Sequence, residues 1–305
     1  MELGVALPTS TPYASAESIM YIAQEAERLG YHSLWTFERL LYPVAGVAVS
    51  SDGSRQPLPA SYISSYEPIE TLSYVAGGTK HIKLGTSIVN APFQSPLLLA
   101  RRFATLDRLS NGRVIAGIGQ GWMEEEFIAS NVARQERGKR VEEYIAVLRA
   151  AWGPDPVSHY GSFYRIPESK INPKPMQTNG IPILMGVTSM AAIRRAARLA
   201  DMVNPVASAV EDLERVVTTF RTAAREAGRD PAVLKVVVRA NSPVTASPVA
   251  EERRVFLGGS VEQVAQDLRR AQELGIDEVF FQNVSWSSVE EAVERMEALQ
   301  AVMRR

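Results

Sequence analysis

Short apolar runs alternate with longer amphipathic stretches along the whole chain. Leu3 to Leu7 is the first run and reads as a strand. Behind it Ile19, Ile22, Ala23, Ala26 and Leu29 recur at helical spacing, and Gly30 stands where a helix-ending glycine would. Ser33 to Thr36 reads as the second strand, Glu67 to Gly77 as a helix, and Ile82 to Ile88 as a β-branched third strand. Ser95-Pro96 then opens a helix, with Ser as N-cap and Pro in the first turn, where its missing N–H costs nothing. That helix runs to the stop at Asn111-Gly112. Val114 to Ile118 is the fourth strand, followed by a helix over about Arg137 to Trp152. Ile183 to Met185, Asp201 to Asn204, Leu234 to Arg239 and Glu278 to Gln282 are strands five to eight. Helices over Ser189–Leu199, Val210–Ala227, Ser260–Leu274 and Ser288–Met303 follow them in turn. The third of these opens on Ser260 and Gln263, a capping-box pair.

Eight apolar strands, each with a helix behind it, predict an α/β fold with a parallel sheet. In one chain of ordinary barrel length this is a (β/α)8 TIM barrel, residues 1–305 forming a single domain. An open doubly wound sheet is the alternative. Two stretches carry Pro and Gly but no periodicity, Leu41 to Tyr66 and Gly153 to Gly180. They follow strands two and four, and both are expected at the C-terminal face, where barrel active sites lie.

Composition narrows the chemistry. The chain of 305 residues has 33 Lys+Arg against 34 Asp+Glu, no cysteine and 3 histidines. Balanced charge provides no long-range field for nucleic acid or an anionic membrane. The lack of cysteine excludes disulfides, thiolate catalysis and Cys-ligated metal clusters within this chain. No run approaches the roughly 18 apolar residues of a membrane span, and the N-terminus lacks the pattern of a signal peptide. The expectation is a soluble, cytoplasmic protein that acts on a small molecule.

On a barrel the chemistry-bearing candidates are the polar residues just after each strand. These are Glu38 and Arg39, then Ser87 and Asn90, then Gln120 and Trp122, Thr188 and Ser189, Arg239 and Asn241, and Gln282 and Asn283. Glu38 is the one well-placed carboxylate, so the acid pair of a glycosidase is missing. Glu124, Glu125 and Glu126 read instead as the charged first turn of a helix. A site with no nucleophile and no metal ligands suits a cofactor that brings its own chemistry. Met185-Gly186-Val187-Thr188-Ser189 ends a strand and opens a helix. Its backbone N–H groups, two hydroxyls and nearby Arg194 and Arg195 fit a phosphate cradle, although Thr188 or Ser189 could simply cap the helix. Gly117-Ile118-Gly119-Gln120-Gly121-Trp122 lacks the dinucleotide fingerprint. Close approach of a flat ring to the backbone suits it better, with Trp122 either walling the pocket or packing beneath the loop.

The assembled motifs resemble the bacterial luciferase-like superfamily of flavin- and deazaflavin-dependent oxidoreductases. The residues that carry the resemblance are Leu84 to Val89, Ser95 to Ala100, Ala104 to Arg113, Gly117 to Trp122 with Glu126-Phe127, Pro173 to Gln177 and Arg195 to Asp201. Ala26 to Tyr31 and Ser33 to Trp35 add to it. Glu38-Arg39-Leu40-Leu41-Tyr42-Pro43 looks like actinobacterial members assigned to coenzyme F420, an 8-hydroxy-5-deazaflavin. The resemblance implies an often dimeric barrel with the ring at its C-terminal mouth. A bulge after the third strand, often with a non-prolyl cis peptide, would back the ring at Ser87-Ile88. Gly119 and Gln120 would flank it, and Gly186, Val187, Thr188 and Ser189 would hold the phosphate.

Glu38 and Arg39 replace the Asp-His of the family's sugar-phosphate dehydrogenases, and Trp122 stands where those carry an acid. A guanidinium cannot serve as the general base that imidazole can be. Alcohol oxidation by that route is therefore disfavoured, and reduction of an activated double bond or an oxygenase reaction stays open; the leading expectation, from the resemblance, is hydride transfer between the deazaflavin and a small organic substrate. Glu38 and Arg39 would orient the ring or polarise the substrate, with Arg239 as a substrate anchor. A structural ion pair at the barrel rim is the other reading of Arg39. FMN-dependent monooxygenation, or cofactor binding with little turnover, are the other functions the residues admit.

Overall fold

The computed structural model describes residues 1–10, 12–48, 54–207, 209–282 and 288–304. Eight strands form the centre: β1 (Glu2–Ala6), β2 (Ser33–Thr36), β3 (Lys83–Thr86), β4 (Val114–Gly119), β5 (Ile183–Gly186), β6 (Met202–Asn204), β7 (Lys235–Ala240) and β8 (Glu278–Phe281). Each pairs in parallel with its neighbours in chain order, and β8 closes onto β1. The predicted (β/α)8 barrel is therefore closed, and the open doubly wound sheet is excluded.

The sheet is enclosed by α1 (Ala16–Leu29), α2 (Pro68–Gly78), α3 (Pro96–Leu109), α4 (Glu124–Ala129), α5 (Arg137–Trp152), α6 (Met190–Leu199), α7 (Val210–Glu226), α8 (Val261–Glu273) and α9 (Val289–Met303). The starts that the sequence marks are capped as it implies. Ser95 accepts from the Leu98 N–H, and both hydrogen bonds of the Ser260–Gln263 capping box are present. No helix among the described residues is long and apolar enough to cross a membrane.

Two main apolar cores result, with a smaller cluster of Val47, Leu58 and Met123 under the loop after β2. One lies between the strands and the helix ring. The other fills the barrel: Trp35, Ile115, Leu184, Val237 and Phe280 are buried together, with Ile88 packed against them. Trp35 stacks on Phe280 with ring centroids 4.9 Å apart. At the N-terminal end of this column the Trp35 indole N–H donates to Ser33 Oγ at 2.6 Å and to Glu278 Oε1 at 3.0 Å, and the Ser33 hydroxyl also bonds Glu278.

Three sequence expectations change. The third strand stops at Thr86 instead of running to Ile88. The Ser87-Ile88 peptide is cis, and the chain pairs again only at Val89–Asn90, beside Ile118 and Gly119. The stretch after β2 holds an antiparallel pair, Val47–Ala48 with Arg55–Gln56, and a helical turn at Ala60–Tyr62.

The third change concerns Gly153 to Gly180, which is not at the C-terminal mouth. It follows α5 and leads into β5, so it lies where helices return the chain to the starts of strands. Asp107 Oδ2 accepts from the Met176 and Gln177 N–H groups at 2.8 and 3.0 Å, and Gln177 Nε2 donates to the carbonyl of Val114, the first residue of β4, at 3.0 Å. Its hairpin, Val157–Tyr160 with Arg165–Ser169, packs on α5, where Glu143 accepts from the Phe163 and Tyr164 N–H groups.

Candidate active site

A cavity of about 460 Å³ opens at the C-terminal end of the barrel, and the strand ends and the turns behind them line it. It collects Glu38, Arg39, Ser87, Ile88, Gly119, Gln120, Trp122, Gly186, Val187, Thr188, Ser189 and Arg239, all of which the sequence singles out. Asn90 is there too. Arg194 is exposed and does not line the cavity. Asn283 lies outside the described residues.

The floor is Ile88, held between two glycines. A Cβ on Gly119 would overlap Ile88 Cδ1, and one on Gly186 would come within 3.3 Å of Ile88 Cγ2. Glycine at both positions lets the Ile88 side chain span the barrel mouth. Ser87 is fixed beside it, donating to Asn204 Oδ1 at 2.8 Å, while Asn204 Nδ2 donates to the Val237 carbonyl at 2.7 Å. Gly121, at φ +73°, makes the turn after β4 and abuts Phe93 and Phe127, which pack edge to face.

Glu38 closes one side. It is 8% exposed; its oxygens accept from the Asn90 N–H and from Gln94 Nε2, each at 2.8 Å. Burial outweighs those two donors and pushes its carboxyl up to about 7. A carboxyl near neutrality can both hold and release a proton at ordinary pH.

Arg39 has both features weighed for it. Its guanidinium pairs with Glu126 at 3.0 Å, with both side chains buried. It also lies over the rings of Tyr62 and Trp122, at 5.2 and 5.3 Å from their centroids. Glu126 lies in the acidic first turn of α4, as the sequence implies, but it is fully buried, and the Leu40 N–H donates to it at 2.9 Å. Its neighbours, the exposed Glu124 and the half-buried Glu125, instead pair with Arg134 and Arg55.

The expected phosphate end is modified. Ser189 caps α6, accepting from the Ala192 N–H at 3.3 Å, and with Thr188 it also faces the cavity. Arg195 is turned to Glu142 at 2.8 Å and to Gln120 at 3.4 Å. The basic residues at this end of the cavity lining are Arg134 and Arg137, which come from the turn leading into α5. Arg137 has no ion-pair partner among the described residues.

The sequence reading missed Phe37, Tyr62, Arg134, Arg137, Asn204 and Val206. Asn204 had a usable signal, since it ends a strand, though a weak one. Tyr62 and Arg134 sit in segments without periodicity, and Arg137 is the first residue of α5.

The profile of the family described as luciferase-like monooxygenase matches residues 1–303. The chain belongs to that family. It is 30% identical over 197 residues to the FMNH2-dependent dimethylsulfone monooxygenase of Pseudomonas putida, across 64% of this chain and 53% of that one. The chain thus spans about half the length of that relative. An uncharacterised protein of Mycobacterium tuberculosis is 30% identical over 212 residues, 68% of this chain and 72% of the other. Among solved structures, monooxygenase RslO1 from Streptomyces bottropensis superposes with a TM-score of 0.82 at 21% identity, covering 100% and 99% of the two chains. The coenzyme F420-dependent tetrahydromethanopterin reductase of Methanopyrus kandleri does so with a TM-score of 0.78 at 19% identity, covering 97% of each. At those identities the likeness is one of fold.

Proposed function

We propose that the chain is a coenzyme F420-dependent oxidoreductase that transfers a hydride between the deazaflavin and a small organic substrate. The observation that carries this reading is the Ile88 floor between Gly119 and Gly186, with guanidinium groups and a helix start at one end of it. A flat ring fits over that floor, and a phosphate fits the N–H groups at the start of α6. Arg137, which has no ion-pair partner among the described residues, is positive charge beyond what one phosphate at a helix start needs. It suits a coenzyme whose tail continues past the phosphate with carboxylates. Bound there, the deazaflavin would supply hydride chemistry at C5.

The residues of the chain do the rest. Hydride addition to an activated double bond needs a matching proton, and Glu38 is the carboxyl that lines the cavity with a proton affinity near neutral. Arg39 stays charged and fixed, so it orients and polarises but moves no proton. Phe37, Tyr62 and Trp122 provide apolar walls that limit water around the reacting atoms.

A second reading, an FMN-dependent monooxygenase, is favoured by the FMNH2-dependent relative at 30% identity. Titrating the purified chain with each coenzyme, read by fluorescence quenching, separates the two. The expected result is micromolar binding of F420 and at least tenfold weaker binding of FMN. The reverse order overturns the deazaflavin assignment in favour of FMN, and binding of neither overturns both.

A further inference from the structure

We propose that the substrate of this cavity is an organic carboxylate, whose anionic group sits against Arg239 at the inner end, beside Arg39 and Tyr62. The proposal rests on the reading above, in which the ring covers the Ile88 floor and its tail leaves past α6, so that this end is left to the substrate.

The charge balance of the inner end is the first argument. Arg239 stands near the end of β7 and lines the cavity. Its Nε donates to Asn241 Oδ1 at 2.8 Å and its Nη1 to the Ser87 carbonyl at 3.3 Å. Both partners are neutral, and no ion pair joins Arg239 to a carboxylate among the described residues. Burial and the nearby Arg39 pull its affinity for the proton below the usual arginine value, while Tyr62 supports the charge. Arg39 has Glu126 as its carboxylate, and both groups are left incomplete: Arg39 Nε and Glu126 Oε2 are buried without a hydrogen-bond partner. Glu38 does not restore the balance, because at neutral pH it is only partly ionised. Two guanidiniums therefore have one ion-paired carboxylate between them in a partly enclosed space, a costly arrangement unless an anion joins them.

Shape is the second argument. Arg239 carries more N–H groups than its neutral partners Asn241, the Ser87 carbonyl and Tyr62 occupy, and a planar guanidinium matches a carboxylate well. Around it stand Phe37 and Tyr62, whose ring centroids are 5.6 Å apart, with Trp122 on the far side of Arg39. These aromatic faces favour an apolar, preferably flat, body attached to the acid. An inorganic anion would leave them uncovered.

Two flat acids, trans-cinnamate and trans-2-hexenoate, serve as probes against their methyl esters, which match them in shape but lack the charge. Apparent affinities are read from thermal upshift, with and without saturating coenzyme. Each acid should bind at least tenfold more tightly than its ester. Arg239→Gln should bring that ratio to within twofold of one, and Arg239→Lys should recover part of it. Coenzyme affinity should change less than threefold in either variant.

Equal binding of acids and esters by the parent chain overturns the proposal. So does a tenfold loss of coenzyme affinity in Arg239→Gln, which would assign Arg239 to the coenzyme. If neither coenzyme binds, the proposed function falls. The acid-to-ester ratio of the chain alone then still tests the charge preference at Arg239. Should Arg239→Gln fail to fold, the parent ratio and Arg239→Lys carry the test.

Discussion

The barrel holds a buried glutamate at each end, and the two have opposite surroundings. Glu278 begins β8 at the N-terminal end, packed among Trp35, Ser33 and the interior column. Glu38 follows β2 at the C-terminal end, with its carboxyl on the wall of a cavity. Burial raises the proton affinity of both. A raised carboxyl therefore does not by itself mark a reactive group. What separates the two is access: Glu38 lines space that a substrate can occupy, whereas Glu278 is held among Trp35, Ser33 and His32 and does not line the cavity. The C-terminal end also gathers cavity-lining guanidiniums and exposed rings, while the N-terminal end is closed by the Gly153 to Gly180 segment and short αβ connections.

The sharpest way to break this contrast is at Glu38. Glu38→Gln keeps the volume and removes the titrating proton, so kcat should fall by about 10²–10⁴-fold, with coenzyme affinity changed less than threefold. If the protonated carboxyl is the active form, kcat in the parent should decline as pH rises through about 7, and that inflection should vanish in the variant. A variant with near-parental kcat would remove Glu38 from the chemistry. The next largest effect is expected at the floor. A methyl group at Gly119 overlaps Ile88 and must push it toward the cavity. Gly119→Ala should weaken coenzyme binding at least tenfold while the circular dichroism spectrum stays unchanged. Affinity within twofold of the parent would mean that the Ile88 floor does not support the ring.

How far each end is legible in the sequence follows from the same contrast. The barrel is legible because its strands are buried apolar runs and its helices start at recognisable caps, as at Ser95 and Ser260. Half of the mouth is legible for a related reason: Glu38, Ser87, Gly119 and Arg239 sit at or just after strand ends, a position that pattern alone locates. Tyr62 and Arg134 reach the cavity from turns whose path depends on tertiary contacts, so no periodicity announces them, and Arg137 opens a helix whose pattern does not show that its first residue faces the mouth. Glu126 is hidden by its neighbours, because three consecutive glutamates look alike until one turns inward to Arg39. The destination of Gly153 to Gly180 was legible in principle, since a segment between a helix and the next strand belongs at the N-terminal end. Its length and composition made it resemble a mouth loop.

The smallest effect on activity is expected at the closed end. In Glu278→Gln the remaining oxygen can still accept from Trp35 Nε1 and Ser33 Oγ, and the new amide replaces the oxygen that lies 4.0 Å from His32 Nε2. Activity should stay within twofold of the parent, because no atom of Glu278 lines the cavity. Stability should respond instead. Burial raises the Glu278 carboxyl above its unfolded value, so its contribution is complete at pH below the unfolded value and is lost as pH rises through the folded one. Glu38 adds a loss of the same sign, centred on the approach to about 7. Thermal unfolding at a series of pH values should therefore show that stability falls more steeply with rising pH in the parent than in Glu278→Gln. Identical slopes would mean that Glu278 stays in one protonation state over this range. A tenfold fall in kcat would mean that the closed end takes part in the chemistry after all.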